Sequence, residues 1–118
     1  MSFLWYNLSV KDTIPFEDFA KVDLRVGLVE RAENLENSEK LIRLTVDFAE
    51  DGKKNVLTGL RQWYEPSEFE GRHFVFVLNL EPRPMAGENS EGMLLCVDGE
   101  KPLPVGAPEG SEAGDGLK

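Results

Sequence analysis

The chain has 118 residues with 41% hydrophobic content, which suits one globular domain with a single hydrophobic core. Its formal net charge of −9 argues against generic nucleic-acid binding, because neutralising phosphates normally requires a basic face. No apolar stretch approaches the roughly 20 residues that span a bilayer, and the N-terminal MSFLWYNLSVKDTI lacks the basic leader and cleavage site of a secretory signal. The sequence therefore predicts a cytoplasmic protein without a membrane segment.

Residue types that carry catalysis or bind metal are scarce. Cys96 is the only cysteine, which excludes an internal disulfide and a thiolate zinc cluster, and His73 is the only histidine. There is no phosphate-binding glycine loop, and Ser90 has no general base in its sequence neighbourhood. Four glutamates recur every third residue in a pattern typical of a solvated acidic loop: Glu30, Glu33, Glu36 and Glu39. We therefore expect no catalytic site, no metal and no cofactor.

The first half of the chain predicts a short helix followed by two strands. PFEDFA, residues 15–20, indicates a helical turn whose Phe16 and Phe19 cap the core. Apolar residues then occupy every second position from Val22 to Leu28 and again from Ile42 to Phe48. This two-residue period is typical of strands with one buried face.

The second half predicts three further strands and one short helix. Asp51-Gly52 can take the positive φ angles of a tight turn, so we expect a hairpin between the second strand and NVLTGL, residues 55–60. PSEFEG, residues 66–71, has Pro at its start and Gly at its end, as a short helix would. HFVFVLNL at 73–80 and GMLLCV at 92–97 complete the set of strands.

Five strands with a helix between the third and fourth predict an all-β fold, a five-stranded OB-fold barrel with extended terminal segments. An SH3-like barrel is the nearest competitor. The chain divides into an N-terminal extension at 1–15, which is a possible dimer contact, a barrel at 16–100, and a Pro/Gly-rich segment at 101–118 that we expect to be loosely held.

Several side chains suit binding rather than catalysis. Arg and Lys contact phosphate, hydroxyls contact phosphate or a ribose 2′-OH, and exposed aromatic rings stack on unpaired bases. The candidates of these types are Lys40, Arg43, Arg61, Arg83, Ser90 and the pair Trp63-Tyr64. Covering the bottom of the barrel or a subunit contact explains the aromatic pair equally well. Arg25 is better explained as a packed, ion-paired surface residue.

Three segments together resemble a known family. They are FEDFAKVDLRVGLVERAENLENSEKLIRLTVDF, NVLTGLRQWYEPSEFEGR and VFVLNLEPRPMAGENSEGMLL. They resemble the tRNA-binding domain appended to the C-terminus of methionyl-tRNA synthetases, which free-standing structure-specific tRNA-binding proteins and cytokine-like synthetase cofactors share. The blocks DLRVG, NSEKL, TGLR, NLEPR and G-x-x-S-x-G-M-L-L carry the resemblance over residues 16–99.

The resemblance implies a non-catalytic OB-fold module that recognises tRNA by shape and backbone, either free-standing or in trans to an aminoacyl-tRNA synthetase. It also implies a homodimer, for which the apolar FLWY at residues 3–6 offers a candidate contact. The loop and strand residues that it places toward the RNA, joined with the basic candidates above, are Asn37, Ser38, Lys40, Arg43, Arg61, Arg83, Ser90 and Met93. Core packing explains Met93 equally well.

Two features depart from the family pattern. Leu35-Glu36 stands where the family usually has His-Pro, which removes a rigid turn and adds a negative charge beside the RNA-facing side. The overall acidity also exceeds what a tight tRNA binder is expected to have. An acidic surface is better suited to the alternative hypothesis, a dimeric export-related chaperone-like protein that binds unfolded polypeptides with the same barrel.

Overall fold

A computed structural model describes residues 10–118, whose secondary structure consists mainly of short strands. The elements are α1 Phe16–Phe19, β1 Leu24–Asn34, β2 Ile42–Asp47, β3 Lys53–Thr58, β4 His73–Val77, β5 Arg83–Met85, β6 Glu88–Ser90, β7 Met93–Leu94, β8 Cys96–Val97 and β9 Leu103–Pro104. Single turns of 3-10 helix lie at Ala49–Asp51 and Pro66–Glu68. The FLWY segment, proposed from the sequence as a dimer contact, lies outside the described residues.

Five antiparallel strands form the main sheet in the order β3-β2-β1-β4-β7. The 11-residue β1 pairs with β4 through its first half and with β2 through its second half. A register shift between Val29 and Arg31 separates the two halves and allows the strand to bend around the core. The result is a nearly closed barrel with the turn Pro66–Glu68 between β3 and β4, which confirms the predicted OB-type fold.

The barrel core is aromatic and tightly packed. Phe48, Phe69, Phe74 and Phe76 are fully buried, and the rings of Phe48 and Phe76 meet edge to face with centroids 5.3 Å apart. Gly27 lies on β1 against this cluster, where a Cβ atom would overlap the side chains of Val46, Phe48 and Phe76. The glycine of the DLRVG block is therefore a packing requirement.

The predicted β2–β3 hairpin is present. Every second residue from Ile42 to Phe48 is buried, as the alternation indicated. The connecting turn uses Ala49 at φ +59° and Gly52 at φ +83°. Asp51 does not take the positive φ angle that the sequence predicts for it, and its carboxylate forms an ion pair with Arg25 at 2.7 Å.

Two expectations about individual elements are wrong. Phe16 is 74% exposed and Phe19 is 38% exposed, so the two rings do not cap the core. They contact each other instead, with centroids 6.2 Å apart, because α1 is a four-residue helix with no buried residue. The predicted fifth strand is also divided into two parts, since β7 pairs with β4 whereas β8 pairs with β9.

The acidic stretch from Glu30 to Glu39 is only partly a loop. Glu30 and Glu33 lie within β1, where Glu30 forms an ion pair with Lys53 at 3.0 Å. Glu36 and Glu39 are exposed in the loop that follows. The expectation of one solvated acidic loop is therefore wrong for its first half, because the glutamates there have cross-strand basic partners.

The C-terminal segment is bound to the barrel, contrary to the expectation of a loosely held tail. The Val75 amide donates to the Val105 carbonyl at 3.0 Å. Further on, Val26 of β1 pairs with the segment: the Gly114 amide donates to the Val26 carbonyl, and the Val26 amide donates to the Asp115 carbonyl, both at 2.8 Å. The Leu117 amide reaches the Leu24 carbonyl at 2.9 Å. Backbone hydrogen bonds thus join this segment to both β1 and β4.

No helix within residues 10–118 is both long and apolar enough to cross a membrane.

Candidate nucleic-acid interface

The loop between β1 and β2, residues 35–41, is held by internal hydrogen bonds. Leu35 is buried, and its amide donates to the Leu41 carbonyl at 3.1 Å. The Ser38 hydroxyl accepts the amides of Lys40 at 3.1 Å and Leu41 at 3.2 Å. The loop therefore keeps a fixed shape without the His-Pro pair of the family pattern, and it leaves the side chains of Asn37 and Lys40 exposed.

Arg61 connects this loop to the turn that follows β3. Its guanidinium donates to the backbone carbonyls of Leu35, at 3.3 Å, and of Ser38. Its own amide donates to the Lys40 carbonyl at 3.2 Å. Three hydrogen bonds thus attach Arg61 to the 35–41 loop, so the guanidinium that the sequence suggested for phosphate is occupied in holding the loop that carries Lys40.

Arg43 lies at the centre of an ion-pair cluster. Its guanidinium donates to Glu88 at 2.5 Å and to Glu33, the residue opposite on β1, at 3.1 Å. The hydrogen bond to Glu88, followed by that to Glu33, raises the pKa of Arg43 above its ordinary value. Because Glu88 belongs to β6, this cluster joins β1 and β2 to the β5–β6 hairpin, and Arg43 is not free to bind phosphate.

The β5–β6 hairpin projects Arg83 into solvent. Ala86 at φ +50° and Gly87 at φ +84° form its two-residue turn. This pair of positive φ angles matches the right-handed twist of the flanking strands. Arg83 lies at the start of β5 opposite Ser90, and its side chain makes no ion pair or hydrogen bond with any residue from 10 to 118.

Ser90 closes the barrel instead of facing solvent. It is 5% exposed, and its hydroxyl accepts the Leu57 amide at 2.9 Å while donating to the Gly92 carbonyl at 2.8 Å. Next to it, the Glu91 amide donates to the Asn55 carbonyl at 2.9 Å. These contacts bridge β3 to the start of β7, so the hydroxyl predicted to contact RNA is already engaged on both sides.

Met93 and the aromatic pair have different exposures. Met93 is 43% exposed and lines an apolar cavity beneath the hairpin, so it does not belong to the core. Trp63 is 41% exposed. Tyr64 instead packs edge to face on Phe69 and donates its hydroxyl to the Pro102 carbonyl at 2.8 Å. Trp63 alone therefore remains available for stacking.

Ion pairs occupy several of the other basic side chains. Arg25 contacts both Asp23 and Asp51 at 2.7 Å, and the hydrogen bond to Asp23 is the main cause of its raised pKa. This confirms its assignment as a packed, ion-paired residue. By contrast, neither Lys40 nor Arg83 has an acidic partner among residues 10–118.

The structure places the predicted residues in two neighbouring loops and their supports. Loop 35–41 and the turn carrying Arg61 meet at one end of β2 and β3, and the 83–90 hairpin is attached at the same end through the Arg43 cluster. The acceptor Glu88 was missed because it lies 45 residues from Arg43 in the chain. The other missed support is Asn79, whose side chain joins the backbones of Lys21 and Asp23.

A family model described as "Putative tRNA binding domain" matches residues 24–116. The match spans the whole barrel, both loops and most of the C-terminal segment. The chain belongs to the tRNA-binding domain family.

Several solved structures are similar to most of this chain. A MetRS-related protein from Pyrococcus horikoshii is 34% identical with a TM-score of 0.85, over 92% of this chain and 100% of that one. The chaperone CsaA from Bacillus anthracis is 30% identical with a TM-score of 0.83, over 91% and 100%. The C-terminal domain of Plasmodium vivax p43 is 25% identical with a TM-score of 0.77, over 84% and 61%.

The family is generally non-catalytic. No group of three His, Cys, Asp or Glu side chains within residues 10–118 is arranged to hold a metal ion. Burial raises the pKa of the Cys96 thiol, which disfavours the nucleophilic thiolate at neutral pH. The chain is thus a tRNA-binding domain in which the 35–41 loop exposes Asn37 and Lys40 and the β5–β6 hairpin exposes Arg83.

Proposed function

We propose that this protein is a non-catalytic module that recognises tRNA by shape and backbone, either free-standing or in trans to an aminoacyl-tRNA synthetase. The observation that supports the proposal most is the arrangement of two anchored loops at one end of β2 and β3, each carrying one cation without an acidic partner among residues 10–118. OB-fold barrels commonly bind oligonucleotides with this strand face and its adjoining loops. The similar MetRS-related protein supports the link to a synthetase.

Two cations serve as the phosphate ligands of this proposed interface. Lys40 and Arg83 are exposed, and each lies in a loop with a fixed backbone. Asn37, beside Lys40, supplies hydrogen bonds to phosphate or a 2′-OH. Arg43 and Arg61 support the loops, and Ser38 and Ser90 hold the backbone. Met93, the last of the eight sequence candidates, lines the cavity between the β5–β6 hairpin and the barrel.

Local charge weakens the objection raised by the net charge of −9. Glu33 and Glu88, the carboxylates nearest the Arg43 cluster, share one guanidinium and are partly neutralised by it. The potential that a phosphate meets depends on the charges within about a Debye length, roughly 8–10 Å, and not on the whole-molecule total. Exposed Glu36 and Glu39 beside Lys40, and exposed Glu81 near Arg83, keep this surface partly acidic, so we expect only modest affinity per site.

Dimerisation, a cytoplasmic location and the boundaries at 1–15, 16–100 and 101–118 belong to the same proposal. Two copies would present two RNA-binding faces and so increase avidity without any new contact. Size-exclusion chromatography with light scattering tests this. A mass of twice the 13.2 kDa chain supports the homodimer, whereas the mass of one chain rejects it.

The decisive experiment compares binding to folded tRNA with binding to an unstructured RNA of equal length. We expect tighter binding to the folded tRNA. Lys40→Ala and Arg83→Ala should each weaken tRNA binding. Each should also make the slope of log affinity against log salt concentration shallower by roughly 0.7–0.9, the value for one lost phosphate contact. Lys21→Ala is the matched control, because it removes the same charge from an ion pair beside α1. Unchanged affinity in both loop variants at two salt concentrations rejects the interface.

A second candidate function is supported by the similarity to the chaperone CsaA and by the apolar cavity lined by Met93. In this case the barrel binds unfolded polypeptides. Fluorescence anisotropy with a labelled denatured polypeptide, run beside labelled tRNA, separates the two functions. Binding of the polypeptide alone would favour the second candidate.

A further inference from the structure

A small cavity lies between the β5–β6 hairpin and the barrel. Its volume is about 150 Å³, and it is lined by Leu57, Leu80, Glu81, Arg83, Met85, Ser90, Gly92 and Met93. Its apolar walls are partly open to water, since Leu80 is 50% exposed and Met93 is 43% exposed. Two large apolar side chains on one face of the proposed interface thus remain without a covering group in residues 10–118.

The walls of the cavity combine three chemistries. Leu57, Met85 and Met93 provide apolar surface. Methionine side chains are flexible, and their sulfur atoms make favourable contacts with aromatic rings. Arg83 provides a positive charge, and Glu81 provides a carboxylate acceptor. Neither charged side chain has an ionic partner among residues 10–118. A ligand that matches all three has an apolar flat face, a hydrogen-bond donor on its edge and an anionic group attached.

We propose that this cavity takes the base of one unpaired pyrimidine nucleotide, preferably cytidine, whose phosphate lies on Arg83. The inference rests on the proposed function and adds a base-binding subsite to it. An apolar cavity of this volume holds a single aromatic ring, as the benzene-binding cavity of 150 Å³ in another protein shows. A purine, with two fused rings, exceeds this volume and would protrude into solvent.

The polar groups decide between the pyrimidines. The exocyclic amino group of cytosine is a donor for which a glutamate carboxylate is a suitable acceptor, whereas uracil presents a carbonyl at the same position. Glu81 therefore favours cytidine. Insertion of the ring into a cavity requires a base that is neither stacked nor paired, so only an unpaired nucleotide can enter it. Unpaired bases are the usual targets when proteins contact RNA bases.

The protein offers a direct probe of this cavity. It has three methionines, and two of them, Met85 and Met93, line the cavity. Methyl-¹³C methionine labelling, with signals assigned through Met85→Leu and Met93→Leu, gives one resonance for each wall. We expect cytidine 5′-monophosphate to shift both resonances through the ring current of the base. Adenosine 5′-monophosphate, whose purine has the stronger ring current, should reach half of its maximal shift only at a higher concentration, and ribose 5-phosphate, which has no base, should shift neither.

Substitutions then test the polar assignments. Glu81→Gln should reduce the preference for cytidine over uridine 5′-monophosphate at least severalfold, and Arg83→Ala should weaken both nucleotides alike. Equal shifts with ribose 5-phosphate would overturn the base subsite, because the phosphate alone would then explain the binding. Shifts produced only by a short uncharged leucine-containing peptide would overturn it in favour of a polypeptide ligand.

A tRNA titration on the same labelled sample separates this inference from the proposed function. If tRNA binds but neither methionine resonance moves, the base subsite fails and tRNA recognition stands. If tRNA does not bind at all, the proposed function itself fails. If tRNA moves both resonances and cytidine 5′-monophosphate competes for them, both are supported.

Discussion

At the scale of single residues, Ser90 completes the hydrogen bonding of a strand edge. Its hydroxyl accepts the Leu57 amide and donates to the Gly92 carbonyl, and the residue is almost completely buried. An alanine at this position would leave a buried amide without a partner, which costs more than the hydrogen bond itself contributes. Ser90 therefore stabilises the barrel, and it affects binding only indirectly, through the stability of the barrel.

We expect Ser90→Ala to lower the free energy of unfolding by about 1–3 kcal/mol. Urea unfolding followed by tryptophan fluorescence measures this change. Ser67→Ala is the control, because Ser67 is exposed in the turn Pro66–Glu68 and its loss should cost less than about 0.5 kcal/mol. Equal stabilities of the two variants would refute the structural role of the Ser90 hydroxyl.

Arg61 and Lys40 should behave as a coupled pair in binding. Since Arg61 holds the backbone of the loop that carries Lys40, Arg61→Gln should weaken tRNA binding. In the Arg61→Gln background, Lys40→Ala should then reduce the binding free energy by less than it does in the original chain. A coupling free energy of about 0.5–3 kcal/mol is typical of residues in one network. Filter binding of tRNA to the original chain, the two single variants and the double variant completes a double-mutant cycle, which gives this coupling free energy.

Arg72→Gln provides the control for this cycle. Its guanidinium also donates to a backbone carbonyl, that of Glu68, but outside the 35–41 loop. It should not couple to Lys40. Strictly additive effects of Arg61→Gln and Lys40→Ala would mean that Arg61 contacts the RNA by itself.

The sequence shows which residue types the loops carry but not the tertiary partners of each one. Lys40, Arg43, Arg61 and Arg83 are equivalent as charges in a sequence. Whether a guanidinium is free depends on tertiary neighbours such as Glu88, which lies 45 residues from Arg43. Arg25 could be assigned correctly because its partner Asp23 is two residues away on the same strand edge.

At the scale of elements, the C-terminal segment contributes more than its composition indicated. Gly114 takes φ +91°, and a Cβ atom there would lie 2.8 Å from the Phe48 carbonyl oxygen. The segment passes against the hairpin turn that follows β2 at this point. Only glycine permits such a close contact of two backbones. This contact lets the C-terminal segment lie where the Gly114 amide can hydrogen-bond to β1.

Gly114→Ala should therefore destabilise the protein more than Gly110→Ala. Gly110 has nearly the same φ, +93°, but no atom within 4 Å of its added Cβ, so it reports the cost of the backbone conformation alone. The additional overpacking at Gly114 should cost about 1–3 kcal/mol. Thermal and urea unfolding of both variants measure the difference, and equal losses would show that the tail does not press on Phe48.

Side-chain patterns predicted the elements that rest on side-chain burial. The β2 strand, with Ile42, Leu44 and Val46 buried, follows its alternation closely. The tail and the division of the fifth strand depend instead on backbone hydrogen bonds, such as that from Val105 to Leu95 at 2.9 Å. Backbone groups are the same in every residue except proline, so these contacts leave no pattern in the sequence.

At the scale of the whole molecule, the net charge of −9 limits how RNA is bound. Two phosphate ligands, Lys40 and Arg83, predict a slope of roughly −1.4 to −1.8 in a plot of log affinity against log salt for one site. Fluorescence anisotropy with tRNA at four or more salt concentrations measures it. A slope of roughly −5 or steeper would show that many more phosphates are neutralised than these loops provide.

The contacts of Ser90 and Glu91 have one more consequence, for the solubility of the protein. β3 is an outer strand of the sheet, and such strands expose amides and carbonyls that can pair with another chain. Here the Leu57 amide is bound by the Ser90 hydroxyl, the Asn55 amide by the Glu91 carboxylate at 2.9 Å, and the Asn55 carbonyl by the Glu91 amide. The same two residues that complete the barrel thereby block the strand edge along which copies of this chain would otherwise aggregate.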